Sequence, residues 1–233
     1  MVFFATRGLL GPSGTNAGDI DVGTEVILNE NGQPVNYLIV NQGIPENSPL
    51  YDASCDGTWL LRKDIRELGA WNVSGVNTLP GSTIMTTMAG YVDDYDPKVQ
   101  EAIKTVKIPY CVGNGSATVN SGANGLECKV FPLGGYEVGF STSDNQYFPN
   151  DGAKLSYFLD GTGSSANQKR VATLNGSAAR WWLRSPSTSD TDYVWVVSSA
   201  GVYNNVNASN SYGVRPALII PYEFKFQDDQ IAA

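Results

Sequence analysis

The 233-residue chain carries 15 basic and 23 acidic side chains, a formal net charge of −8, and 42% of its residues are hydrophobic. This apolar content is enough for a hydrophobic core and indicates a globular protein. The few scattered Lys and Arg residues argue against a nucleic-acid partner, and the absence of His removes the commonest general base and transition-metal ligand.

Location and covalent structure are constrained by three features. Residues 1–10 have neither a basic start nor a sustained hydrophobic run, so no signal peptide is predicted. No apolar stretch in the sequence is long enough to span a membrane. The cysteines, Cys55, Cys111 and Cys128, are odd in number and include no CxxC pair, so a zinc site is not expected. No cofactor is predicted. A Cys111–Cys128 disulfide and two buried free thiols agree equally well with the turn-rich stretch between them.

The predicted elements begin, in chain order, with an N-terminal arm over residues 1–20, where a small apolar patch is mixed with Gly, Pro and Ser. A single domain over residues 21–233 follows, because no composition break or internal repeat divides it. Its first element is a hairpin over residues 24–40, where two β-branched runs flank Asn31-Gly32.

Two helices are predicted next. The first begins after the capping residue Ser82, and the second begins after Asp96 with Pro97 in its first turn. Their apolar positions are Ile84, Met85, Met88 and Val92 in the first helix and Val99, Ile103 and Val106 in the second. Because each set occupies one helical face, both helices are expected to pack on a sheet.

Short β-rich runs separated by Gly, Asn and Ser turns make up the chain from Lys107 onward. The runs predicted as strands are 107–112, 128–133, 136–140, 193–197 and 214–220. Two helices among short strands and long ordered loops predict one α+β domain.

Enzymatic and metal-binding motifs are weak. Asp93, Asp94 and Asp96 lack the Gly and the distal Glu of an EF-hand calcium loop, so solvated acids and a helix cap are favoured over a metal site. The Gly-rich stretch 113–125 contains no phosphate-loop motif, and no Ser has a His as partner base. The sequence therefore predicts a protein that is not an enzyme.

Two rigid blocks, WWLRSP at 181–186 and GVRPALII at 213–220, predict a scaffold. Its members are Trp181, Trp182, Arg184, Trp195 and Arg215. Adjacent residues in a strand point to opposite faces, so at least one of the tandem tryptophans must enter the core. The alternative, a tryptophan-lined sugar platform, is therefore less favoured.

Residues 187–212, between the blocks, use a restricted alphabet. Of the 26 residues, the 25 other than Trp195 are all Ser, Thr, Asp, Tyr, Val, Ala, Gly or Asn. An ordinary loop would also contain Lys and Glu, which are common on protein surfaces. Every residue in the alphabet can be encoded by a codon ending in a pyrimidine, as expected if adenines in Asn codons are mutated.

The two blocks and this segment resemble the C-terminal variable region of diversity-generating retroelement target proteins, especially those of phages that infect gut bacteria. The stretches LYDASCDGTWLLRKDI, VNSGANGL, GYEVGF and TSDNQYFPNDGAKLSYF are also similar to the upstream part of these proteins, so the resemblance covers about residues 23–218. It implies a C-type-lectin-like fold whose variable residues, about 180–212, bind a ligand from a rigid surface.

Matching the family's pattern residue by residue implies a set of variable, ligand-binding positions. They are Arg180, Ser187, Asp190, Asp192, Tyr193, Val196, Ser198, Ala200, Val202, Asn204, Asn205, Asn207, Asn210 and Tyr212. Strand alternation supports Val196 and Ser198 facing away from Trp195, but it would put Tyr193 on the Trp195 side.

The resemblance also implies a biological context. The protein would be a receptor-binding protein on a phage tail or other virion surface, made in the host cytoplasm, and its ligand would be a protein or glycan on a bacterial cell. The N-terminal arm would contact other virion proteins, and a homo-oligomer is compatible with this arrangement. Two alternatives are a structural decoration protein and an enzyme similar to formylglycine-generating oxidases, but the late cysteine pair of those oxidases is missing because no thiol follows Cys128.

Overall fold

A computed structural model describes residues 14–159 and 163–232, which contain strands and three α-helices joined by short 3-10 turns. The strands are β1 Thr15–Asn16, β2 Glu25–Glu30, β3 Gln33–Gln42, β4 Thr58–Arg62, β5 Glu67–Ala70, β6 Val106–Ile108, β7 Tyr110–Gly113, β8 Ser116–Asn120, β9 Leu126–Cys128, β10 Val130–Phe131, β11 Ala172–Leu174, β12 Ser177–Ala179, β13 Trp181–Pro186, β14 Tyr193–Val197, β15 Tyr203–Asn207, β16 Ser211–Val214, β17 Ala217–Ile220 and β18 Lys225–Phe226. The helices are α1 Thr83–Gly90, α2 Pro97–Ala102 and α3 Ser164–Arg170. The expected α+β class is confirmed.

Two five-stranded sheets organise the molecule. The first sheet has the order β10-β17-β4-β3-β2, and all its pairs are antiparallel. The second sheet has the order β15-β14-β13-β16-β5, and it is antiparallel except where β13 meets β16 in parallel at Trp181 and Gly213. The 187–212 segment thus supplies β14, β15 and the first half of β16 to the second sheet.

The predicted hairpin at residues 24–40 is confirmed as β2 and β3. Glu30 pairs with Gln33 at its end, and the two residues between them, Asn31 and Gly32, have φ angles of 51° and 73°. A two-residue turn with positive φ at both positions matches the right-handed twist of the flanking strands, which is why Asn-Gly specifies a hairpin.

The helix predicted after Ser82 is also confirmed. Helix α1 begins at Thr83, and the Ser82 hydroxyl accepts a hydrogen bond from the Met85 amide at 3.4 Å. Its residues Ile84 and Met88 are buried in the core.

The second predicted helix needs two corrections. Helix α2 begins at Pro97, but the Asp96 carboxylate does not cap it and instead accepts a hydrogen bond from the Asn29 amide at 2.7 Å. The helix ends at Ala102, and Val106, which was expected on its apolar face, begins β6. A third helix, α3, was not predicted because its sequence, SSANQKR, has no apolar stripe.

Four of the five strands predicted from Lys107 onward differ from the structure. The strand expected at 107–112 is divided into β6 and β7, and the one expected at 128–133 is divided between the end of β9 and the two-residue β10. Residues 135–139 form a turn where a strand was expected at 136–140, and the Glu137 side chain is buried in the interior. The single strand expected at 214–220 is divided into β16 and β17, which belong to different sheets. The chain passes between the sheets at Arg215-Pro216, where proline has no amide hydrogen for a ladder bond.

The core consists of two clusters on opposite faces of β13 and β14. The first cluster includes Trp182, Val194 and Val196, and the second includes Trp181 and Trp195. Because both faces of these strands are covered, every residue of β13 is buried, as are the last four residues of β14.

The last residues of the predicted N-terminal arm are part of the folded domain. Strand β1 pairs with β18, and Ala17 is fully buried. The expected arm over 1–20 is therefore wrong for these residues, and residues 1–13 lie outside the described part of the chain.

All three cysteines are free thiols, so the disulfide alternative for Cys111 and Cys128 is wrong. Burial raises the pKa of the Cys55 thiol to about 12, that of Cys111 to about 11 and that of Cys128 to about 12. Each thiol is therefore protonated at neutral pH. Within residues 14–159 and 163–232, none of the helices has the length and apolar character needed to cross a membrane.

Candidate ligand-binding face

The predicted tryptophan scaffold lies entirely inside the protein. The Trp181 indole donates a hydrogen bond to the Arg170 carbonyl at 3.0 Å, and the Trp182 indole donates one to the Gly69 carbonyl at 2.8 Å. Trp195 stacks on Phe148 with ring centroids 4.0 Å apart. The alternative of an exposed tryptophan platform for sugars is wrong, because all three indoles are buried and their ring nitrogens bond to backbone carbonyls.

A buried ion pair fixes β13. The Arg184 guanidinium meets the Glu137 carboxylate in a bidentate pair, with Nη1–Oε2 at 2.5 Å and Nη2–Oε1 at 2.6 Å, and both side chains are fully buried. Burial alone would lower the pKa of Arg184, but the adjacent Glu137 raises it, so the guanidinium stays charged. Glu137 also accepts hydrogen bonds from the Tyr51 hydroxyl at 2.8 Å and the Gly134 amide at 2.8 Å.

A second buried carboxyl lies beside this pair. The Ser185 hydroxyl lies 2.9 Å from both oxygens of Asp151. Burial raises the pKa of Asp151 to about 6, although Arg184 and the Ser185 hydroxyl act in the opposite direction.

The shift makes the stability contribution of Asp151 depend on pH. An unfolded Asp has a pKa of about 3.9, so near pH 5 the folded carboxyl holds a proton that the unfolded one has released. Lowering the pH from 7 to 5 should thus stabilise the wild type by about 1 kcal/mol relative to Asp151→Asn. Urea unfolding of both proteins at the two pH values measures this difference, and a difference that does not change with pH would contradict the assignment.

Twelve of the fourteen expected ligand-binding residues are at least partly exposed, and ten of them form three groups. One lies where β14 begins and β15 ends, one on the turn between these strands, and one beside β16; Asn204 and Asn205 lie along β15. The groups are Asp190, Asp192, Tyr193, Asn207 and Asn210; Ser198, Ala200 and Val202; and Arg180 with Tyr212. We call the twelve residues the candidate face.

Two residues of the first group, Asp192 and Asn207, line a shallow depression of about 500 Å³. The Asn207 amide donates a hydrogen bond to the Asp192 carboxylate at 2.7 Å. Tyr193, which pairs with Asn207 in the β14–β15 ladder, is 39% exposed, although strand alternation had assigned it to the Trp195 side. The depression is also lined by Val73 and Val76, which lie outside the 187–212 segment.

The other two groups are held by hydrogen bonds and ring contacts. The Ser198 hydroxyl accepts from the amides of Ala200 and Val202, both at 3.3 Å, and thereby orders the turn between β14 and β15. The Arg180 guanidinium lies over the Tyr212 ring at 5.5 Å and donates a hydrogen bond to its hydroxyl at 3.3 Å.

Two residues of the predicted set are corrected. Val196 is fully buried in the first core cluster, so the expectation that it faces solvent opposite Trp195 is wrong. Ser187 is also fully buried, and its hydroxyl bonds to the Asp190 carboxylate at 2.9 Å. Its amide donates to the Tyr193 carbonyl at 2.9 Å, so Ser187 closes the loop beneath the face and does not belong to it.

The loop 187–193 is held by Asn77, a buried residue that the sequence analysis missed. The Asn77 amide donates to the carbonyls of Asp190 and Tyr193, both at 2.9 Å, and its side-chain oxygen accepts from the Asn114 amide at 2.6 Å. No periodic pattern marks this asparagine, because the two loop carbonyls to which it donates lie more than 100 residues further along the chain.

Removing this side chain should loosen the face. Asn77→Ala leaves two carbonyls of the loop without their donor, so we expect a loss of about 1–3 kcal/mol of stability. Amide hydrogen exchange in 187–193 should be faster, whereas Asn204→Ala, at an exposed position, should change neither quantity measurably. Unchanged exchange in Asn77→Ala would show that the loop is ordered by other contacts.

The turn 198–202 has a similar support. At Gly201 φ is 75°, and a Cβ built there would lie 1.9 Å from the Asn167 carbonyl oxygen of α3. Only glycine allows this close approach, so α3 sets the position of the turn. Gly201 is therefore a fixed residue within the 187–212 segment.

Two of the acidic residues at 93–96 have structural partners. Asp94 forms an ion pair with Arg66, so the expectation of a solvated acid is wrong for Asp94. Asp96 accepts a hydrogen bond from Asn29, so the expectation of a helix cap is wrong for Asp96. In the described part of the chain, no three His, Cys, Asp or Glu side chains converge in a way that could hold a metal ion.

Comparison with known protein families gives one match. A family model described as a domain of unknown function (DUF6273) matches residues 56–222, which is more than half of the chain. The chain belongs to the DUF6273 family. No curated protein and no solved structure matches the chain.

The DUF6273 range extends from just before β4 to two residues after β17. It therefore contains the whole second sheet, the Arg184–Glu137 pair and the candidate face. The β2–β3 hairpin of the first sheet lies before this range.

Proposed function

We propose that this DUF6273 protein is a non-enzymatic binding protein whose ligand contacts the candidate face. The observation that carries the proposal is the separation between that face and the core. Tyr193, Val202 and Asn204 are exposed, whereas Trp195 and Val196 in the same segment are buried. Exposed side chains of this kind can change without disturbing the packing beneath them.

The composition of the face suits recognition. Tyr provides a large amphipathic contact area at low entropic cost, and Ser and Asn provide adaptable hydrogen bonds, as in antibody paratopes. The loop 187–193 and the turn 198–202 are held by Asn77 and α3, so little binding energy is lost in ordering them. A shallow face of this kind favours modest affinity for one copy, which multivalent display would raise.

We further propose that the fold is C-type-lectin-like and that the face is diversified by adenine-directed mutagenesis from a retroelement. The support is the resemblance carried by WWLRSP and GVRPAL together with the restricted alphabet between them. In this proposal the protein is displayed on a phage tail or similar virion surface. The ligand is a protein or glycan on a bacterial cell, and residues N-terminal to the domain contact other virion proteins.

A graft tests the recognition face. The twelve exposed residues of a sibling with a different host replace those of the candidate face, while Ser187 and Val196 are kept as they are. We expect binding to intact cells, measured with fluorescently labelled protein, to change to the sibling's host, with the melting temperature within a few degrees of the original. If the grafted protein still bound the original host and not the sibling's host, the proposal would be overturned.

The gene itself offers an independent test of diversification. We expect sibling genes to differ at adenine positions in codons of the candidate face, beside a near-copy of this region and a reverse transcriptase gene. Differences spread evenly over the gene would contradict diversification, but they would leave the binding function open to the graft experiment.

A further inference from the structure

The shallow depression in the candidate face has an apolar side that is open to solvent. Val73 and Val76 line it, and they are 73% and 41% exposed. Both valines belong to the loop 72–76, which lies outside the 187–212 segment. Two exposed apolar side chains in one short loop provide contact area that a ligand can cover, and covering it is favourable because water is released from apolar surface.

The loop 72–76 is held by hydrogen bonds, so its valines are presented from an ordered backbone. The Asn72 side-chain amide donates to the Val76 carbonyl at 2.9 Å, and the Val73 amide donates to the Thr83 hydroxyl at 3.1 Å. The backbone amide of Asn72 donates to the Ala208 carbonyl at 2.9 Å, which ties the loop to the turn between β15 and β16. Little binding energy is therefore lost in ordering this loop.

The depression carries a negative charge without a basic partner. Its lining contains one carboxylate, that of Asp192, and no Lys or Arg. Oδ2 of Asp192 accepts a hydrogen bond from the Asn207 amide at 2.7 Å. Within residues 14–159 and 163–232, Oδ1 has no hydrogen-bond donor, and no basic side chain lies at ion-pair distance from this carboxylate. One carboxylate oxygen thus remains available to a ligand.

The rest of the lining also suits a cationic donor. Asn114, Thr191 and Ser209 bring neutral side-chain oxygens that can accept hydrogen bonds. An ammonium group has three N–H donors and no acceptor, so one carboxylate oxygen with neutral acceptors around it matches its needs. The formal net charge of −8 favours the approach of a basic partner surface.

We propose that this depression binds a lysine side chain of a protein ligand, with the ammonium group on Oδ1 of Asp192 and the aliphatic stem against Val73 and Val76. A lysine combines an apolar four-carbon stem with a compact charge, as the apolar side and the carboxylate require. A bidentate guanidinium would need both carboxylate oxygens, and Oδ2 already accepts the Asn207 amide. The inference rests on the proposed recognition function and selects a protein ligand over a glycan.

Titration of the full-length protein with Nα-acetyl-lysine amide tests the proposal, at an ionic strength held constant with sodium chloride. We expect saturable shifts of the backbone amide resonances of 72–76 and 191–192 in two-dimensional NMR spectra. Nα-acetyl-norleucine amide, which has the stem without the charge, should bind at least about fivefold more weakly. No saturable shift with the lysine derivative, or equal affinity for the two probes, would overturn the proposal.

Three variants locate the site. Asp192→Asn should weaken binding of the lysine derivative by at least about fivefold, because it removes the charge and keeps the shape. The matched variant Asp21→Asn, at an exposed acid that does not line the depression, should leave the affinity unchanged. Val73→Ser should weaken binding by about threefold, since the stem loses apolar contact. Equal affinity in Asp192→Asn and wild-type protein would contradict the assignment.

Two outcomes separate this inference from the proposed function. If cell binding followed the graft of the candidate face but the lysine derivative caused no shift, the lysine assignment alone would be overturned. Saturable shifts of the same amides with methyl α-mannoside and not with the lysine derivative would assign the depression to a glycan, which also contradicts the inference and leaves the recognition function in place.

Discussion

Glu137→Gln is expected to lower the free energy of unfolding by about 3–5 kcal/mol. The substitution keeps the shape of the side chain but removes its charge, so the Arg184 guanidinium stays buried with no anion opposite it. It also weakens the acceptor for Tyr51 and for the Gly134 amide. The loss is much larger than the median for a surface ion pair, because neither partner can recover hydration while the protein is folded.

Urea unfolding measures this loss, and Glu127→Gln is its matched control. Glu127 is exposed, so the same chemical change there should alter stability by within about 0.5 kcal/mol. If both variants lost the same small amount, the Arg184–Glu137 pair would not be the buried support of β13 that the structure describes.

Local signals account for the parts of the fold that the sequence predicted. Asn31-Gly32 specifies its turn through two positive φ angles, and Ser82 specifies a helix start through a hydrogen bond three residues away. Both depend on neighbours within a few positions. Asp96 also precedes a helix as a capping residue would, but its carboxylate bonds to Asn29, which is 67 residues away.

The interior supports of the candidate site depend on distant partners. Glu137 and Arg184 are 47 residues apart, and Asn77 bonds to carbonyls more than 100 residues away. Neither pairing follows from periodicity or composition. One missed feature did have a local signal, since Pro216 within a supposed strand argues against an uninterrupted ladder.

Successive side chains of β14 point to opposite faces of the strand, and the sequence alone reveals this alternation. The alternation correctly places Trp195 and Val196 on different faces, because these side chains enter different core clusters. The alternation does not show whether the Val196 face is covered by the rest of the protein, since that depends on distant residues such as Trp71 and Leu79 in the first cluster. The restricted alphabet of 187–212 therefore includes core positions as well as exposed ones.

Val196→Asn should therefore destabilise the protein, although Val196 lies in a segment rich in Asn. The change removes a fully buried Val side chain, worth about 1.5–3 kcal/mol, and adds a buried amide that costs about 1–3 kcal/mol if unpaired. We expect a total loss of about 3 kcal/mol or more in urea unfolding. The melting temperature should fall accordingly.

The matched control is Val202→Asn, the same substitution at a valine of the same segment that is 42% exposed. Its stability should stay within about 0.5 kcal/mol of the wild type. Comparable losses in the two variants would show that exposure does not separate tolerant from intolerant positions in this segment. A large loss confined to Val196→Asn would mean that the proposed diversification is limited by the core. Under that proposal, a gene copy that changes this codon to Asn yields a less stable protein whatever its ligand.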